Sequence, residues 1–148
     1  MIGDESVDIL LVEDNPGDAF LCVEMLKEVR TPTCVHVVSD GVKALSYLRK
    51  EGVYEDVPTP DMILLDLNLP RLSGHDLLRI IKSDPELKLI PVVVMSSSDS
   101  REDIVAAYAH HANCYLTKPL GLDQFITVVR SIDAFWLTVA RLPGHVTG

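Results

Sequence analysis

Basic residues are scarce in this chain of 148 residues: 13 Lys and Arg stand against 22 Asp and Glu, for a formal net charge of −9. That balance argues against a general nucleic-acid or anionic-membrane surface and is compatible with a local acidic cluster that binds a cation. Cysteine is sparse and odd in number. Cys22, Cys34 and Cys114 lie far apart, each in an apolar segment, so buried free thiols in a reducing compartment are expected rather than a disulfide. No C-x-x-C pair occurs, which argues against a zinc site. No basic segment followed by an apolar stretch stands near Met1, so no signal peptide is expected, and no apolar run approaches the length of a membrane span. A cytoplasmic protein is the expectation. Internal repeats, low-complexity segments and linkers are also missing. Hydrophobic residues make up 47% of the chain and the mean hydropathy is +0.21, which excludes a disordered chain and suits one domain with a sizeable core.

The stretch Asp61-Met62-Ile63-Leu64-Leu65-Asp66-Leu67-Asn68-Leu69-Pro70 organises the rest. Met62 to Leu65 reads as a short strand, apolar on both faces and therefore buried on both. Asp66 stands at its C-terminal end, where an open α/β sheet places its ligand crevice, and Pro70 forces a loop. Taken alone, Asp66 would read as a turn or capping residue.

The remaining chain alternates. Val7 to Val12 reads as a strand that ends in the turn-forming cluster Glu13-Asp14-Asn15-Pro16-Gly17. A helix to about Arg30 follows, with Ala19, Cys22, Val23, Leu26 and Val29 at helical spacing, closed by Pro32. Cys34 to Val38 is a second strand. Asp40-Gly41 opens a helix with Ala44, Leu45 and Leu48 inward, and residues 51–60 form a polar, proline-bearing loop. After the central stretch, Ser73 with Asp76 makes a capping pair for a helix that points Leu77, Leu78 and Ile81 at a core and stops at Asp84-Pro85. Val92 to Met95 is the fourth strand and runs into Ser96-Ser97-Ser98. Ser100 with Asp103 caps a helix expected to turn Ile104, Val105, Tyr108 and Ala112 to one side, with Asn113 as its stop. Cys114 to Thr117 is a fifth strand, followed by Lys118-Pro119, and a last helix is expected from Leu122 to about Ala140. Five strands alternating with five helices imply a parallel sheet covered on both faces.

Four strand ends then carry reactive groups: Glu13-Asp14, Asp66, Ser96 and Lys118. In a parallel sheet they share one edge. Each has an ordinary explanation by itself, as cap, turn or solvated charge, but their joint placement favours a functional site.

In this combination and order, with Tyr115 on the fifth strand, the chain resembles the receiver domain of two-component response regulators over about residues 7–132. The resemblance implies the flavodoxin-like strand order 2-1-3-4-5, which would make strands one and three neighbours. It further implies that Asp66 accepts a phosphoryl group from a histidine kinase in a Mg²⁺-dependent reaction. Asp14 and Asp66 would bind the cation directly, Glu13 through water, and the Asn68 backbone carbonyl would add a ligand. Lys118 would neutralise a phosphoryl oxygen, and Ser96 would donate its hydroxyl and draw the following loop inward, coupled to the ring of Tyr115. A cis Lys118-Pro119 bond is expected on the same ground.

Ser96 stands where many receivers carry threonine, which keeps the hydroxyl. His75 reads as a solvated loop or first-turn residue, and His110 and His111 as surface residues. The chain is expected to be a single receiver domain over 1–148 with an extended last helix and tail at about 132–148 and no output domain, so that output is contact with another protein. Ile132, Phe135, Trp136 and Val139 form an apolar stripe there, read either as extra core or as a dimer or partner surface. Phe135-Trp136-Leu137, the 51–60 loop and Asn113-Cys114-Tyr115-Leu116-Thr117-Lys118 resemble the small response regulators of cyanobacterial phytochromes, which implies a phytochrome-type kinase as donor and a homodimer.

Other functions fit less well. A haloacid-dehalogenase-type phosphatase wants a second Asp two residues after its nucleophile, where Asn68 stands, and a nucleophile on the first strand. A flavodoxin-like electron carrier would not place the acidic loop EDNPGD against a flavin phosphate. A phosphorylation-independent interaction module on the receiver scaffold would leave carboxylates repelling one another in an idle pocket.

Overall fold

The structure is a computed structural model, and it describes residues 6–28 and 32–118. Five parallel strands lie in the order β2-β1-β3-β4-β5: β1 Val7–Val12, β2 Thr33–Val38, β3 Met62–Leu65, β4 Val92–Ser96 and β5 Cys114–Thr117. Between them run α1 Pro16–Leu26, α2 Gly41–Leu48, α3 Gly74–Ser83 and α4 Arg101–Ala109. The expected strand order is the observed one. The predicted last helix, the 132–148 stripe and tail, and Pro119 lie outside the described residues.

Strand parity builds two cores, one on each face of the sheet. Leu10, Val12, Ile63 and Leu65 point to the face covered by α2, α3 and α4, where they meet Ala44, Tyr47, Leu77, Leu78, Ile81 and Ala107. Ile9, Leu11, Met62 and Leu64 point the other way and pack with Ala19, Cys22 and Leu26 of α1. All four β3 side chains are buried, as an interior parallel strand with helices on both faces requires.

Each of these four helices starts on a side-chain cap. Asn15 accepts the Asp18 N–H, Asp40 that of Lys43, Ser73 that of Asp76 and Ser100 that of Asp103. These satisfy amides that have no partner in the first turn and thereby fix where each loop hands over to its helix. Gly74 is required for another reason. A Cβ there would stand 2.4 Å from the Leu67 Cα and 2.6 Å from the Asp66 carbonyl oxygen. The start of α3 therefore packs directly on the backbone that leaves β3, and the Gly74 N–H donates to the Leu67 carbonyl at 3.0 Å.

Three expectations are corrected. The helix α1 ends at Leu26, short of Arg30, with Lys27 as its C-cap. On α4 the buried residue is Ala107, while Val105 and Tyr108 face outward at 53% and 49% exposure. That segment, Ile104 to Ala109, is apolar or small on every side, so periodicity could not choose its face. Of the thiols, only Cys22 is buried; Cys34 is exposed and Cys114 half-buried, because β2 is an edge strand. No helix among the described residues is long and apolar enough to cross a membrane.

Candidate functional site

The strand order makes β1 and β3 neighbours, with Val12 paired to Leu65. One residue further on, the Asp66 N–H donates to the Val12 carbonyl at 3.0 Å, so Asp66 is carried to the end of the sheet beside Glu13. One carboxylate oxygen from each of Glu13, Asp14 and Asp66 lies within 4.8 Å of the others. Glu13 and Asp66 are buried and Asp14 is exposed. Together with Asn68, Ser97 and Lys118 they line a cleft of about 390 Å³.

Lys118 reaches into this acidic group from the end of β5. Its Nζ lies 2.5 Å from Glu13 Oε1, 3.3 Å from Asp18 Oδ2 and 3.5 Å from Asp66 Oδ2. Its backbone N–H donates to the Ser96 carbonyl at 2.5 Å, which ties the lysine to the end of β4. Burial alone would lower the Lys118 pKa, but the Glu13 hydrogen bond and the charges of Asp66, Glu13 and Asp18 outweigh it, and the net direction is up. The Glu13 carboxyl is pushed up to about 7, first by burial and then by the Asp66 carboxylate beside it, with Lys118 opposing both. Three carboxylates share one ammonium, and the cleft is short of positive charge. An all-oxygen donor set of this kind suits a hard divalent cation.

Asp66 itself is held by a local bond: its Oδ1 accepts the Asn68 N–H at 3.0 Å. Asn68 also spans the cleft mouth, with Nδ2 donating to Ser97 Oγ at 3.4 Å. Ser96 is fully buried behind the cleft rather than lining it. Its hydroxyl accepts the Ser98 N–H at 3.1 Å. Tyr115 on β5 donates its hydroxyl to the Ser98 carbonyl at 2.6 Å. The loop after β4 is thus gripped from both sides by the two residues expected to move it.

Two contributions were not foreseen. Asp18, in the first turn of α1, joins the Lys118 cluster; its only signal was its place in the helix that the acidic Glu13-Asp14 turn leads into. His75 stands in the first turn of α3, one of the two placements expected for it, but it is half-buried rather than solvated. Its Nε2 lies 3.1 Å from Asp103 Oδ1, bridging α3 and α4, and its Nδ1 is buried without a hydrogen-bond partner. Asp103 also takes a 2.5 Å hydrogen bond from Ser98 Oγ.

The chain is similar to Response regulator Rcp1 of Synechocystis sp., at 44% identity over 91% of this chain and 92% of that one. The crystal structure of the Mn²⁺-bound form of Rcp1 superposes with a TM-score of 0.86 over 93% of this chain and 99% of the other, at 43% identity. That of the phosphorylated cyanobacterial phytochrome response regulator RcpA does so with a TM-score of 0.88 and 48% identity over the same shares. Receiver domains bind a divalent cation in an acidic pocket, and the carboxylates gathered here fit that chemistry. The family model for the response regulator receiver domain matches residues 9–130, and the chain belongs to that family: it is a signalling phospho-acceptor rather than an enzyme.

Proposed function

We propose that this protein accepts a phosphoryl group on Asp66 from a histidine kinase and signals through changed contacts with other proteins. The observation that carries this reading is the convergence of Glu13, Asp14 and Asp66 on one cleft with Lys118 among them. A carboxylate oxygen of Asp66 attacks the phosphorus of the donor phosphohistidine. The O–P bond forms as the N–P bond breaks, and the imidazole leaves with the electron pair and takes a proton from solvent. Glu13, Asp14 and Asp66, with the Asn68 carbonyl, would hold Mg²⁺, which when bound supplies the positive charge that lets a phosphoryl group approach carboxylates. Lys118 stands where its ammonium can pair with a phosphoryl oxygen as a point charge. Ser96 and Tyr115 act on the loop after β4. A hydroxyl donated by Ser96 to the phosphoryl group would release the Ser98 N–H, and Tyr115 would follow the Ser98 carbonyl inward.

The similarity to Rcp1 and RcpA supports a phytochrome-type histidine kinase as donor, a stand-alone arrangement within one receiver domain, and a cytoplasmic setting. A homodimer through Ile132, Phe135, Trp136 and Val139 belongs to the same reading and lies outside the described residues. The test is intact-mass spectrometry after incubation with acetyl phosphate and Mg²⁺. One added phosphoryl mass is expected in the wild type and none in Asp66→Asn. No gain in the wild type would favour a phosphorylation-independent interaction module, and an equal gain in both would place the acceptor at a residue other than Asp66.

A further inference from the structure

The other end of β1 carries a second group of ligand-type side chains with different chemistry. Asp8 pairs with Cys34 across the β1–β2 register, and Leu10 pairs with His36. Strand alternation places Asp8 on the same face as Leu10 and Val12, and Cys34 and His36 on the same face as Val38. The three side chains therefore converge. One ligand atom from each of Asp8, Cys34 and His36 lies within 4.8 Å of the others. Along β1, Asp8 lies five positions and the His36 register position three positions before Glu13, which puts this cluster about 10–16 Å from the acidic cleft.

We propose that Asp8, Cys34 and His36 form a zinc(II) site, separate from the phosphoacceptor cleft. The distances fit. Cys34 Sγ and His36 Nε2 stand 3.6 Å apart. A tetrahedral zinc with Zn–S of about 2.3 Å and Zn–N of about 2.05 Å requires a sulfur–nitrogen separation of about 3.6 Å. The ligand set of thiolate, imidazole and carboxylate suits zinc and is wrong for Mg²⁺, which selects oxygen. The two sites are thus separated by ligand softness as well as by distance.

The surroundings support the geometry. The ring of Tyr47, itself buried, packs on His36 with centroids 5.5 Å apart and planes at 47°, and this orients the imidazole. The Asp8 N–H donates to Asp61 Oδ2 at 2.9 Å, which pins the start of β1. Cys34 is exposed on the edge strand, so the metal has a path in and water can take the fourth position. On binding, the S–Zn bond replaces the S–H bond and the thiol proton passes to solvent. The imidazole uses its Nε2 lone pair and keeps its proton on Nδ1. The bound ion would clamp β2, an edge strand held on one side only, to β1.

The competing reading is a simple hydrogen bond between the Cys34 thiol and His36. Cobalt(II) separates the two. Full-length protein is stripped with chelator, then titrated with Co²⁺ in excess Mg²⁺. One equivalent should develop the thiolate-to-cobalt charge-transfer band and the strong d–d absorption of tetrahedral cobalt, and Zn²⁺ should abolish both. Cys34→Ser should lose the charge-transfer band, Cys22→Ser should keep it, and His36→Gln should weaken cobalt binding tenfold or more. Absence of the band in the wild type, or its survival in Cys34→Ser, overturns the site. A second measurement needs no variant. Zn²⁺ should slow alkylation of Cys34 in the wild type by tenfold or more, and an unchanged rate would count against coordination.

Discussion

Gly74 shows how one missing atom, at the start of a helix, positions a reactive group on the strand end against which that helix packs. The backbone of Asp66 and Leu67 occupies the space that a side chain at 74 would need. Backbone cannot swing aside as a flexible side chain can. Gly74→Ala should therefore destabilise the fold by about 1–3 kcal/mol, the usual range for overpacking, and urea denaturation would read it as a lower midpoint at unchanged slope. Because the displaced backbone belongs to Asp66, the same variant should phosphorylate more slowly in acetyl phosphate. Full stability would mean that α3 can shift without strain. At this scale the sequence was informative where a residue's position along its own strand decided its role. Glu13, Asp14, Asp66 and Lys118 were all legible as strand-end groups. Asp18 and His75 were not, because their partners Lys118 and Asp103 lie 100 and 28 residues away.

The helix α4 depends more on its contacts than on its pattern. Its first turn is held by Ser100 as cap and by Asp103, which receives Ser98 Oγ and faces His75 of α3. The Ser98 hydroxyl leads the causes that hold the Asp103 carboxyl below its ordinary value, with His75 second. A depressed carboxylate contributes stability above its unfolded pKa and loses it as pH falls through the folded value. Asp103→Ala should loosen the loop between β4 and α4. Hydrogen exchange should become faster at the Ser100 amide, which donates to Ser98 Oγ, while the amides of β1 and β3 should keep their protection. Uniformly unchanged exchange would show that Ser96 and Tyr115 hold the loop unaided. The capping pairs Ser73 with Asp76 and Ser100 with Asp103 were readable because a cap is a local arrangement within four residues. The inward face of α4 was not, because a segment apolar all round leaves the choice to whatever packs against it.

At the scale of the whole molecule, Cys22 and Tyr47, both buried among the described residues, make stability fall in alkali. Burial pushes the Cys22 thiol up to about 12 from 9.0, with the Glu13 charge adding to it. Burial likewise pushes the Tyr47 phenol up to about 12 from 10.0, with the charge of Asp8 next in order. In both, the folded chain holds its proton more tightly than the unfolded chain does. The stability they lend is complete below the unfolded pKa and is lost as pH rises through the folded one. Urea midpoints should therefore decline between about pH 9 and 12, with Cys22 alone removing roughly 1 kcal/mol per pH unit within that window. Cys22→Ala should flatten the decline; an equally steep loss in that variant would assign it to other groups.

The sequence by itself determined the alternation of strands and helices, the two-sided burial of β3 and the row of reactive strand ends, because each depends on neighbours within a few positions. It also carried the family, through the order of those ends along the chain. Tertiary structure decided the rest. Pairing β1 with β3, Val12 against Leu65, brought Glu13 and Asp66 together. Pairing β1 with β2 brought Asp8 to Cys34 and His36 and left Cys34 at an open edge, where burial had been expected. Spacing along the chain does not encode such approaches; the register of the sheet does, and register is settled only when both faces have found their helices.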